Sequence, residues 1–234
     1  MVQNMRKSKL RILDRKNDST SSEAVPVADA TKEENNFPQA KNEITKTNTA
    51  KTVVDIGLDI STSTVGVCVL EAATGKMLYL SHVAMTKYSN EYDKADNFGD
   101  AWLQLDKWSV RKIYIEEAAK KFSPGFSSAD TIMTLGRFNG ILSYKIYQMT
   151  GVRPVMINVR SARSKLSIKI DYSDKTKTTK QKVFETVKAL NPGFPWISHV
   201  AKTGKFKGQN VYDKVNEDRS DAWIICRGGQ LLGM

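Results

Sequence analysis

The sequence is short of several residue types, and each shortage narrows its chemistry. Only two cysteines occur, Cys68 and Cys226, and each sits inside an apolar run. A disulfide scaffold needs more, so both are expected as buried, reduced thiols of a cytosol-like compartment. The two histidines, His82 and His199, have no neighbours at zinc-binding spacing. No apolar run approaches the roughly 18 residues of a membrane span, so no membrane partner is expected. The basic N-terminus is not followed by the apolar core of a secretion signal. Acids are also in deficit: 25 Asp and Glu face 36 Lys and Arg, a net charge of +11. That balance favours a polyanionic partner, nucleic acid being the usual one, over a merely basic soluble protein.

Residues 1–50 lack a core. They hold one aromatic, Phe37, and no sustained apolar period. Such a segment does not bury enough surface to offset its ordering entropy, and disorder is expected. Its acids, among them Asp14, Asp18, Glu33 and Glu34, argue against a transit peptide.

What is present begins at Lys51. The chain is 40% hydrophobic, and residues 51–234 read as one compact α/β domain. Strands are expected near 52–60, 64–71 and 76–83, spaced as an antiparallel meander. A helix near 92–109 carries Phe98, Trp102, Leu105 and Trp108 at helical spacing. A strand near 111–117, a helix near 127–150 and a strand near 153–159 follow. A basic stretch leads to a helix near 177–190, broken by Asn191, Pro192, Gly193 and Pro195. The last helix starts around Asn216.

Carboxylates stand at the ends of these elements. In "VVDIGLDISTSTVGVCVLE", Asp59 closes the first strand before a Ser-Thr turn. Asp55 lies four residues earlier, at the strand's entrance. Glu116 closes the fourth strand, and its neighbour Glu117 alternates to the opposite face. Asp218 and Asp221, in "NEDRSDAWII", stand three apart on a helix, roughly 300° of rotation and so nearly one face. Converging carboxylates repel, and one holds a proton unless a cation intervenes. Magnesium, or manganese, takes oxygen ligands. Two such ions about 4 Å apart serve phosphodiester cleavage. Each acid alone also has a plain structural reading, as a turn cap, an exposed strand end or a favourable first-turn charge.

The order of these acids resembles the RNase H-like superfamily, and within it the RuvC family of Holliday-junction resolvases. "IGLDISTSTVGVCVLE" is similar to the family's first strand-turn-strand, "IYIEEAAKKF" to its isoleucine-glutamate motif, and "TIMTLGRFNGIL" to the helix that follows, where Gly136 and Gly140 would allow close packing. "DRSDAWIICRGG" is similar to the closing acid pair. The resemblance covers about 52–232. It implies an RNase H-like fold with a mixed five-stranded sheet, an antiparallel meander followed by parallel strands, flanked by helices. It implies two Mg2+ ions per site held by Asp59, Glu116, Asp218 and Asp221, with Lys180 near the scissile phosphate and Lys165 as a second such lysine. A homodimer making paired nicks in four-way or branched DNA is implied too. The family places an aromatic wedge soon after the glutamate; here Ala118 and Ala119 follow Glu117, and Phe122, or Phe126, is the nearest match. Segments 170–178 and 192–214, the latter with the basic "AKTGKFKG", exceed the family core.

Independently of the resemblance, the stretch 158–188 packs nine basic residues against three acids. Arg160, Arg163, Lys165, Lys169, Lys175, Lys177 and Lys182 are therefore expected to touch DNA phosphates, with binding that weakens steeply with salt. Two other classes compete. An actin-like ATPase or sugar kinase opens with a similar Asp-Ser/Thr phosphate loop, but needs a second domain, and about 184 residues suffice for one. A non-catalytic DNA-binding protein of the same fold would not need every carboxylate. The composition suits a phage or bacterial protein acting in the cytoplasm, with an organelle matrix as the alternative.

Overall fold

Alternation along the strands decides the architecture. In a computed structural model, which describes residues 50–102, 105–117 and 128–234, β1 (Val53–Ile60), β2 (Thr64–Glu71), β3 (Met77–Ala84), β4 (Ser109–Glu116) and β5 (Val155–Ile157) form one sheet in the order β3-β2-β1-β4-β5. The β1–β2 and β2–β3 pairings are antiparallel; β1–β4 and β4–β5 are parallel. The expected meander followed by parallel strands is thus the observed sheet. Residues 1–49, Phe122 and Phe126 lie outside the described residues.

Each face of the sheet carries its own core. Val54, Ile56, Leu58 and Ile60 of β1, with Ile113 and Ile115 of β4, meet Phe98 and Trp102 of α1 (Glu91–Trp102) and Phe138, Leu142 and Ile146 of α2 (Ala129–Thr150). On the opposite face Cys68, Leu70, Leu80 and Tyr114 meet Ala222, Ile224 and Ile225 of α5 (Val215–Leu232). The short α3 (Val159–Lys165) and α4 (Thr179–Leu190) flank α5 and add Ala162, Val183 and Val187. Both cysteines are buried and free, as their apolar settings imply.

Two glycines let α5 lie close. A Cβ on Gly57 would come within 2.4 Å of the Cys226 Cβ, and one on Gly66 within 2.3 Å of the Asp218 carbonyl oxygen. Contacts that short are repulsive, so any larger residue would lift the helix.

Several elements depart from the sequence expectation. The first helix ends at Trp102, and Leu105 joins the core from the following turn rather than from a helix reaching 109. The basic stretch contains a helix, α3, capped by the Asn158 side chain on the Arg160 and Ser161 amides. The 192–214 segment forms a hairpin, β6 (Ser198–Val200) and β7 (Asn210–Tyr212), paired antiparallel. Gly136 and Gly140 do not serve close packing within the chain: a Cβ on either would meet open space.

Candidate functional site

The alternation that buries Ile56 and Leu58 on one face turns Asp55, Gly57 and Asp59 to the other, beneath α5. In the parallel β1–β4 register Leu58 sits beside Ile115. The next residues, Asp59 and Glu116, therefore end neighbouring strands side by side, about 5 Å apart. Their carboxyls come within hydrogen-bonding reach of each other. Opposite Asp59 on β2 is Gly66, the residue that seats the Asp218 backbone. The first turns of α5 thus bring Asp218 and Asp221 over the strand ends. Asn139 of α2, a polar residue on a buried helix face, donates to the Glu116 carbonyl at 3.2 Å and accepts from Ser143.

Two cations close the cluster. Lys180, in the first turn of α4, reaches an Asp218 oxygen at 2.8 Å. The Thr178–Gln181 capping box fixes that helix start. Arg163 of α3 reaches Asp221 at 2.8 Å, with its side chain largely buried.

Electrostatics follow from burial and like charge. Burial, then the charges of Asp221 and Glu116, push the Asp59 carboxyl well above its ordinary range. Burial also raises Glu116, and Asp221 adds to it, while contact with Asp59 and the charges of Arg163 and Lys180 pull it back. For Lys180, burial acts downward, but the Asp218 hydrogen bond and the three nearby aspartates outweigh it and raise its pKa. A buried carboxyl in contact with a half-buried one is a costly arrangement that a divalent cation would relieve. The donor set is all oxygen, and it fits magnesium or manganese. Among the described residues no three or more ligating side chains already stand in coordinating geometry; Lys180 and Arg163 hold Asp218 and Asp221 instead.

The Ser-Thr turn after Asp59 is occupied with itself. The Ser61 hydroxyl accepts from the Thr64 amide and donates to the Thr64 carbonyl, and the Ser61 amide also bonds that carbonyl. A phosphate loop needs amides pointing outward, and the Ser61 and Thr64 amides are already used within the turn.

No family model matches the sequence, and no curated protein matches it. Among solved structures, that of T. thermophilus RuvC in complex with a Holliday junction substrate aligns with a TM-score of 0.52, over 77% of this chain and 94% of that one, at 12% identity. The chain has the RNase H-like fold of RuvC. Thermus thermophilus RuvC in a second structure gives 0.47 at 14% identity, covering 77% and 95%. The yeast mitochondrial Holliday junction resolvase gives 0.43 at 14% identity, covering 78% and 82%.

Within this RuvC-like fold the expected basic residues fall into separate groups. Arg163, expected to touch DNA phosphates, faces inward on Asp221. Lys165, expected as a second lysine at the phosphate, lines a shallow hollow with Arg160 and Leu232. Lys182 has a side chain only 12% exposed and binds the Asp171 and Asp174 carbonyls and the Asp174 carboxylate, closing their loop. Lys177 pairs with Glu185 at 2.8 Å. Lys169 and Lys175 are exposed. Asn139 escaped the sequence reading, although a lone polar residue between Phe138 and Leu142 was its visible signal. The inward position of Arg163 on Asp221 escaped because α3 has no apolar period to reveal which side faces in.

Proposed function

We propose that the protein is a metal-dependent endonuclease that cuts phosphodiester bonds in four-way or branched DNA. The observation that carries this reading is the meeting of Asp59 and Glu116 at neighbouring strand ends beneath the Asp218/Asp221 turn of α5, on a RuvC-like fold. Asp59, Glu116, Asp218 and Asp221 would hold two Mg2+ ions, with Mn2+ as a substitute. When bound, these ions lower the pKa of water and neutralise charge on the phosphate. The protein supplies the rest. Asp59 and Glu116 are fixed by the sheet, so they need no reorganisation as the substrate arrives. Lys180 and Arg163 are aimed into the cluster, where each stabilises negative charge on the scissile phosphate's oxygens once it leaves its aspartate. The excess of basic residues supports a polyanionic substrate.

The RuvC-like fold supports a homodimer as well. On α2, Met133, Gly136, Gly140 and Tyr144 follow one exposed stripe; Met133 is 66% and Tyr144 61% exposed, and the glycines face open space. A second copy of this helix fits there, with the glycines admitting close approach. Two sites would then face the two opposed strands of a junction.

The test offers purified protein a four-way junction, a Y-shaped fork, linear duplex and an RNA–DNA hybrid, with magnesium or with chelator. Cutting of branched DNA in magnesium alone is expected. Cutting confined to the hybrid would replace the reading with an RNase H, and ATP hydrolysis without cutting would replace it with a kinase-like one.

A further inference from the structure

The β6–β7 hairpin is not used by the chemistry above, yet it is built rigidly against it. Its strands are tied to the same turn of α5 that carries Asp218. Asn216 accepts from the Ile197 amide and donates to the Ile197 carbonyl, and the Asp213 amide bonds that carbonyl too. Arg219, 4% exposed and flanked in sequence by site residues, lies over the rings of Phe194 and Trp196 at 5.4 and 5.8 Å. It also donates to the Leu80 carbonyl of β3. Phe184 of α4 packs edge-on against Trp196 and Tyr212.

Between this hairpin, the start of α4 and the β1–β2 turn runs an open groove of about 1400 Å³. Asp218, Lys180, Phe206 and Tyr212 all line it. Phe206 is 51% and Tyr212 49% exposed. Around Phe206 the tip carries Lys202, Lys205 and Lys207, with no acid between 201 and 212. Among the described residues none of these three lysines is in an ion pair. Lys188 sits 4.2 Å from the Tyr212 ring centroid, which stiffens that platform. The groove lining itself is mixed, with Lys177, Lys180 and Lys214 against Glu185, Asp213, Glu217 and Asp218, so the excess of positive charge lies on the tip that borders it beside Phe206.

We propose that this groove takes an unpaired DNA strand leading from the cleavage site, with the tip lysines on its phosphates and a base stacked on Phe206. Lysines alone would suit any duplex backbone. Half-exposed rings in a groove bordered by lysines, with Lys205 5.7 Å from the Phe206 ring centroid, suit single-stranded bases, which a duplex keeps stacked and paired. The proposal rests on the nuclease reading, since it takes its strand from that site.

The test uses the full chain carrying Asp221→Asn, in chelator, so that binding is read without cutting. The probes are a fork with a single-stranded arm containing 2-aminopurine, and a blunt linear duplex. Lys202→Gln/Lys205→Gln/Lys207→Gln is expected to lower the salt slope of fork binding by about 2, since a single strand loses roughly 0.7 per phosphate contact. Phe206→Ala is expected to weaken fork binding about tenfold and to restore 2-aminopurine fluorescence, with Phe206→Trp keeping both. Blunt duplex binding should change less than about twofold. Fork binding with unchanged slope and quenching would overturn the groove assignment and leave the nuclease reading standing. Equal losses on fork and blunt duplex would overturn the single-strand assignment. No binding to either probe by the parent protein would overturn both.

Discussion

Asp59 and Glu116 are placed for function at the expense of stability. Two carboxyls in contact beneath a helix oppose folding whenever both are charged. Replacing Asp59 by Asn should therefore raise the melting temperature of the metal-free protein, where most substitutions of buried residues lower it. The same change should abolish the stabilisation that magnesium gives the parent. The pH dependence has a definite sign. The folded-state pKa of Asp59 is raised, so the native state holds a proton that the unfolded chain has released. Metal-free stability then falls as pH rises from about 4 through the folded pKa. Thermal melts across pH in chelator check this; stability rising with pH for Asp59 relative to Asp59→Asn would contradict it. Arg163→Met removes a cation aimed at the cluster and should slow cutting about 10²-fold, with Arg163→Lys partly active, as read by single-turnover rates. Asp55, on the same face but farther from the strand end, has a different task. It is fully buried, bonded to Arg111 at 2.9 and 2.5 Å and to Gln230 at 2.9 Å. Arg111 is half-exposed, which discounts the pair, so Arg111→Ala should cost about 2 kcal/mol in denaturant unfolding.

At the scale of elements, the seating of α5 decides the site. Gly66→Ala would push against the Asp218 carbonyl and lift the first turn of the helix from Asp59. A loss of about 1–3 kcal/mol is expected, with cutting reduced further than that stability loss explains; full activity would contradict the seating role. The long elements were legible in the sequence because their apolar periods are unbroken. β1 read correctly from its alternation, β2 from the apolar run after the Ser-Thr turn, and α5 from the apolar run after Asp221. Asp59, Glu116, Asp218 and Asp221 were legible for the same reason, as acids at the ends of well-marked elements. What escaped was short or exposed. α3 has seven residues and buries only Ala162, so no period announces it. β6 and β7 have three residues each, and β6 is exposed throughout; the bonds of Asn216 to Ile197 just before β6 and the packing of Phe184 on Tyr212 of β7 hold them, not local pattern. The end of α1 was overrun because Leu105 and Trp108 continue its spacing after the helix has stopped.

At the scale of the whole molecule, the proposed function joins one chain to a second copy and to DNA. Gly140→Arg on the exposed face of α2 should shift sedimentation from dimer to monomer and turn paired nicks into single ones. A dimer that survives this change would place the interface elsewhere. The central claim is that the four carboxylates form one metal-dependent cutting centre. Its most direct measurement is cleavage of a labelled four-way junction in magnesium by the parent, Asp59→Asn and Asp221→Asn, with junction binding followed in chelator. The account predicts cutting by the parent alone, with all three proteins still bound to the junction. Undiminished cutting by both variants would contradict it.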